Sequence, residues 1–144
     1  MEAHSIAEVL GGRKVLGKTV RKSDDLVRLV RDGLPADAMS ALATKLSVPN
    51  AVLSRMLGIP PRTMTRRLGG RSSLTAAESD RAMRLARVVA YAMEMIGDDA
   101  KAVSWLSTPN RALGGERPVD QLDTDMGARE VEALLGRIAY GVYS

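Results

Sequence analysis

The chain has no cysteine, no phenylalanine and a single histidine, and aromatic residues fill only 3% of its 144 positions. Without cysteine there is no disulfide, thiol nucleophile or thiolate metal site, and a cytoplasmic protein is the natural expectation. The one histidine, His4, lies in the N-terminal stretch with no partner ligand in sight, so no metal site is expected. No serine sits in a Gly-x-Ser-x-Gly elbow. Neither Gly69-Gly70 nor Gly114-Gly115 is followed by Gly-Lys-Ser/Thr, so both fail as phosphate loops. Carboxylate pairs such as Asp98/Asp99 and Asp123/Asp125 read better as helix caps. No catalytic residue and no cofactor are expected, and the reading is not that of an enzyme. No apolar run approaches the roughly 18 residues of a membrane span. The opening Met-Glu-Ala-His-Ser-Ile-Ala-Glu lacks the charged-then-apolar layout of a signal peptide.

What is present is aliphatic. Apolar residues make up 45% of the chain, so a core must be built from Leu, Val, Ile, Ala and Met. That palette suits packed helices better than sheets, and the expected fold is all-α. A length of 144 residues fits one compact domain or two small ones. The net charge of +4 is unevenly spread: residues 1–72 carry 13 Lys/Arg against 6 Asp/Glu, and residues 73–144 carry 8 against 11. A basic front half points to a polyanionic partner for that half alone.

Residues 1–22, with Gly11, Gly12 and a scatter of Arg and Lys, read as a basic leader, mobile or loosely docked. A second region, 23–72, opens with Ser23-Asp24-Asp25 as a cap for a helix carrying Leu26, Val27, Leu29 and Val30. Further helices bury Met39, Leu42, Ala43 and Leu46, then Val52, Leu53, Met56 and Leu57. Gly58-Ile59 forms a tight turn, and Pro60-Pro61 start a helix that Gly69-Gly70 end. This is helix-turn-helix spacing: Gly58 reverses the chain, Ile59 pins the pair, and Met64 and Leu68 face inward. The opposite face then offers Arg62, Thr63, Thr65, Arg66 and Arg67 to double-stranded DNA. Arginine can fork onto guanine, threonine can touch a base edge, and each can grip phosphate. A solvated basic face is the plainer alternative.

Thr75-Ala-Ala-Glu78 has capping-box spacing ahead of a long helix reaching about Ile96. Arg81, Arg84 and Arg87 recur every three residues along it, and helix pairing with Glu78 and Asp80 is favoured over DNA contact. A shorter helix ends at Trp105. Pro109, Asn110, Gly114, Gly115 and Pro118 then make a fixed loop, with Trp105 as a core residue beneath it. Thr124-Asp125 cap a last helix whose buried face carries Val131, Leu134, Leu135 and Ile138.

These last forty residues also form a spaced pattern: Trp-Leu at 105, Ser-Thr-Pro-Asn at 107, Leu-Gly-Gly at 113, Pro-Val-Asp at 118 and Arg-Ile-x-Tyr-Gly at 137. The pattern resembles the toxin-binding domain of Xre/MbcA/ParS-type antitoxins, and the likeness runs from about residue 34 to the C-terminus. It implies a DNA-binding helix-turn-helix domain followed, over 73–144, by a small helical toxin-binding and dimerisation domain. It further implies a RES-domain toxin, an NAD consumer, as partner, and repression of the protein's own operon by a homodimer on operator DNA. On that view Arg137, Tyr140, Val142, Tyr143 and Ser144 enter the toxin's cleft. The tyrosines supply buried area at little entropic cost, Arg137 pairs with an acidic group, and the terminal carboxylate stands in for a substrate phosphate. The rings could instead pack back on their own domain. The runner-up function is a stand-alone helix-turn-helix regulator, or a partition-type DNA-binding protein, whose C-terminal domain only dimerises.

Overall fold

A computed structural model describes residues 3–70, 72–139 and 141. Among them the chain is helical, with no β-strand and one isolated antiparallel bridge between Pro35 and Ser73. In order the helices are α1 (Ala3–Val9), α2 (Gly12–Leu16), α3 (Ser23–Asp32), α4 (Asp37–Leu46), α5 (Asn50–Met56), α6 (Pro61–Gly70), α7 (Ala76–Ile96), α8 (Asp99–Ser107) and α9 (Asp125–Ala139). Two 3-10 helices, Arg111–Leu113 and Pro118–Asp123, fill the stretch between α8 and α9. The chain divides into two compact units at Ala86/Arg87, inside α7, rather than at residue 72 where the composition changes.

In the first unit α1 packs on α2, α3 and α4, α4 on α5, and α5 on α6. The described part of the leader forms two short helices docked on the rest of the unit. Ile6, Val9 and Leu10 recur at three-and-four spacing and are buried together with Leu16 and Val20. Gly11, which reads as a source of flexibility, takes φ +104 at the corner between α1 and α2, where an added Cβ would press into Val15. The basic residues of this stretch, Arg13, Lys14, Lys18, Arg21 and Lys22, stay outside.

The core of this unit is leucine-rich, with Leu10, Leu34, Leu42 and Leu53 fully buried. Truncating any of them to alanine would cost about 2–5 kcal/mol. Two details depart from the helical pattern. Val27 is 44% exposed although Leu26 and Leu29 beside it are buried, and Leu68 is only half-buried. The start of α7 is stitched into the same unit. The fully buried Ser79 hydroxyl accepts the Leu34 N–H at 2.8 Å, and Leu74 donates its N–H to the Leu34 carbonyl at 2.8 Å. A buried serine on a helix is stable only when its oxygen is occupied in this way.

In the second unit the 3-10 helix Pro118–Asp123 lies against both α8 and α9. Pro118, Val119 and Leu122 from it are buried, as are Ala102, Leu106, Ala128, Val131, Leu134 and Leu135. Asp98 caps α8 by accepting the Lys101 N–H at 2.8 Å, and Thr124 caps α9 by accepting the Gly127 N–H at 3.0 Å. Arg87 of α7 reaches Glu132 of α9 at 2.9 Å. Trp105 and Ile138 are half-buried. No helix of the described residues is long and apolar enough to cross a membrane.

Candidate nucleic-acid and partner interfaces

The turn between α5 and α6 is closed twice over. Ile59 donates its N–H to the Ser54 carbonyl at 2.9 Å, and the buried Ser54 hydroxyl donates back to the Ile59 carbonyl. Gly58 takes φ +70 between them, a conformation costly for any side chain. Leu57, Ile59 and Met64 are buried, fixing the angle at which α6 leaves the turn. From behind, Arg81 of α7 donates Nε–H to the Leu57 carbonyl at 2.7 Å, placing a cation at the negative end of α5. Sequence reading misses Ser54 and gives Arg81 another partner. A serine within an apolar stretch shows only its type, and its acceptor lies across a turn.

Along α6 the side chains divide. Arg62, Thr65 and Arg66 are exposed, Thr63 is half-buried, and the Thr65 hydroxyl donates to the Pro61 carbonyl at 3.0 Å. Arg67 departs from the expected exposed face: its guanidinium donates to Glu78 Oε1, and its side chain is only 17% exposed. The same Glu78 oxygen accepts the Thr75 N–H at 2.9 Å, while Thr75 Oγ1 accepts the Glu78 N–H at 3.1 Å. This is the expected capping box, with Arg67 added to it. Burial pushes the Glu78 carboxyl up, but the Thr75 N–H and the Arg67 guanidinium outweigh it and hold the group below its ordinary value.

In the second unit the loop after α8 is organised by Asn110. Its side-chain oxygen accepts the Ala112 N–H at 3.0 Å, and its carbonyl accepts Leu113 N–H at 3.0 Å and Gly115 N–H at 2.9 Å. Its own N–H goes to the Glu116 carbonyl at 3.0 Å. Gly114 and Gly115 form the open tip, and Pro109 is exposed where Pro118 is buried. Arg117 forks onto Asp120 through two bonds of 2.8 Å, which fixes the start of the second 3-10 helix. The loop is rigid because its backbone groups are paired within it. Beyond it, α9 carries the exposed Arg137 in its last turn. Tyr140, Val142, Tyr143 and Ser144, the other residues expected to bind a toxin, lie outside the described residues. No group of three His, Asp or Glu able to hold a metal occurs among the described residues.

Residues 25–87 match the antitoxin Xre-like helix-turn-helix domain, and residues 92–141 match the antitoxin Xre/MbcA/ParS C-terminal toxin-binding domain. A Yersinia enterocolitica protein named Antitoxin Xre is 36% identical over 130 residues, covering 90% of this chain and 88% of that one. The chain belongs to the Xre antitoxin family. Another Antitoxin Xre, from Photorhabdus laumondii, is 35% identical over 81% of this chain and 79% of its own length. Among solved structures, a chain of the M. tuberculosis MbcT–MbcA toxin–antitoxin complex superposes with a TM-score of 0.57 at 26% identity. It covers 76% of this chain and 96% of that one. The first family match ends and the second begins inside α7, the helix in which the two compact units also divide. The helix-turn-helix of this Xre antitoxin thus includes the Arg67–Glu78 and Arg81–Leu57 contacts, and the Asn110 loop lies within its toxin-binding match.

Proposed function

We propose that this antitoxin neutralises a RES-domain toxin, an NAD-degrading enzyme, by laying its C-terminal residues into the toxin's active-site cleft. In this reading Arg137 pairs with an acidic group at the rim, Tyr140 and Tyr143 fill the apolar part, and the Ser144 carboxylate occupies a phosphate position. The inhibition is occlusion, with no chemistry performed on the toxin. The observation that carries the reading is the toxin-binding match over residues 92–141, which runs through the exposed Arg137 at the end of α9. The helix-turn-helix gives the protein its second role. As a cytoplasmic homodimer it binds operator DNA through Arg62, Thr63, Thr65 and Arg66 and represses its own operon, since such domains read palindromes in pairs.

The test is co-expression with a RES-domain toxin. Full-length antitoxin should restore growth and the cellular NAD pool, and a chain lacking residues 140–144 should restore neither. Rescue by the shortened chain would remove the plug. A gel shift on the protein's own promoter tests the repressor role separately.

A further inference from the structure

We infer that Glu78 decides how many arginines of α6 reach the duplex: by holding Arg67 it withdraws one cation from the phosphate-gripping set. This deepens the DNA-binding reading above and rests on it. The Glu78 carboxylate is no loose surface partner. It is fixed in the cap of α7 by the Thr75 N–H at 2.9 Å, and its side chain is only 13% exposed. A swing of Arg67 to a phosphate would strand that sheltered carboxylate without its counter-charge, and the cost of an orphaned, partly buried ion exceeds a screened surface contact. Arg67 also lies in the last turn of α6, whereas a recognition helix reads base edges with its N-terminal residues. Released, it would add grip without adding sequence information. Held, it lowers affinity for operator and arbitrary DNA alike, and leaves discrimination between them to the residues at the start of α6.

The experiment measures binding to the promoter duplex and to a duplex of scrambled sequence across a potassium chloride series. Each phosphate neutralised contributes about 0.9 to the slope of log affinity against log salt. R62A and R66A should each flatten the slope by about 0.9 if both grip phosphate, while R67A should leave it unchanged. E78A should steepen it by about 0.9 and tighten binding to the scrambled duplex about eightfold at 0.1 M salt, the factor one released ion carries between 0.1 and 1 M. The double variant R67A/E78A should return to the starting slope. E78Q keeps an oxygen for the Thr75 N–H and should move the slope the same way, so the result does not depend on E78A folding. A flattened slope in R67A, or an unmoved slope in both Glu78 variants, would overturn the inference. A wild-type response indifferent to salt, to R62A and to R66A would remove the DNA reading itself, and this inference with it.

Discussion

Arg81 and the carbonyl of Leu57 are joined across 24 residues by a bond of 2.7 Å that fastens the back of the helix-turn-helix to α7. The donor is charged and half-buried, and the acceptor is a carbonyl at the end of α5, otherwise short of partners. Such bonds contribute about 1.5–3 kcal/mol when fully sheltered, so about 1–2 kcal/mol is expected here. Arg81→Ala should lower the melting temperature by several degrees and weaken promoter binding, although Arg81 is assigned no DNA contact. Arg81→Lys, which keeps the charge but not the geometry, should recover part of the loss. Differential scanning calorimetry beside the gel shift checks both. An unchanged melting temperature in the alanine variant would show that the bond holds nothing.

Two glycines on helices should respond to alanine with opposite signs. Gly127, in the first turn of α9, faces the Gln121 carbonyl so closely that a Cβ would overlap it, and Thr124 Oγ1 stands 3.0 Å from the same point. Gly127→Ala must push α9 off the 3-10 helix Pro118–Asp123, at about 1–3 kcal/mol. Gly69 in α6 has nothing within 4 Å of an added Cβ and no positive φ. Gly69→Ala should stabilise by about 0.5–1 kcal/mol through helix propensity alone. Urea melts of the two variants decide the matter, and equal signs would contradict the packing described.

Much of this was legible in the residues. The helix-turn-helix showed because Gly58, Ile59 and Met64 hold fixed offsets along a local segment, and local periodicity survives into the fold. The Thr75–Glu78 capping box was likewise a three-residue relationship. In the leader the glycines and cations stand out as residue types, whereas the burial of Ile6, Val9 and Leu10 comes with the packing of α1 on α2, α3 and α4, which no local pattern displays. Helical phase alone puts Arg67 on the same face as Arg62 and Arg66. Its actual partner is eleven residues away on the next helix, and no periodicity within α6 points to it. The Asn110 loop shows as Pro and Gly punctuation, while much of its pairing, Asn110 N–H to the Glu116 carbonyl and Gly115 N–H to the Asn110 carbonyl, is backbone to backbone and silent in residue type.

Acid should lower the stability of the first unit as two of its carboxylates are protonated. The backbone N–H groups of Arg21 and Lys22, at 2.9 and 3.1 Å, hold the Asp25 carboxyl below its ordinary value, and Glu78 is held low at the net balance given above. A group depressed in the folded state contributes stability above its unfolded value, and that contribution is lost as pH falls through the folded value. Stability from these two should therefore be complete near neutrality and decline below about pH 4.5, the ordinary glutamate range. Glu78→Gln should lower stability at pH 7 and flatten the acid limb. Chemical denaturation at pH 7, 5, 4 and 3 tests this, and parallel acid limbs for both proteins would count against the Glu78 role.

Arg137 separates a toxin contact from a structural one. It is exposed in the last turn of α9, where a cation facing the helix dipole stabilises by only about 0.3–1 kcal/mol. Arg137→Ala should thus shift the melting temperature by no more than a few degrees. If Arg137 meets a carboxylate in a desolvated part of the toxin interface, its removal should cost about 2 kcal/mol or more, roughly a thirtyfold loss of affinity. The loss should lie mainly in the dissociation rate, because a close ion pair sealed from water governs escape more than encounter. Surface plasmon resonance against the purified toxin reads it directly, with Arg129→Ala as the control. Arg129 lies on the same helix but is paired with its neighbour Asp125 at 2.9 Å. Equal losses in the two variants would mean that general charge draws the toxin in, and that the end of α9 has no particular place in the cleft.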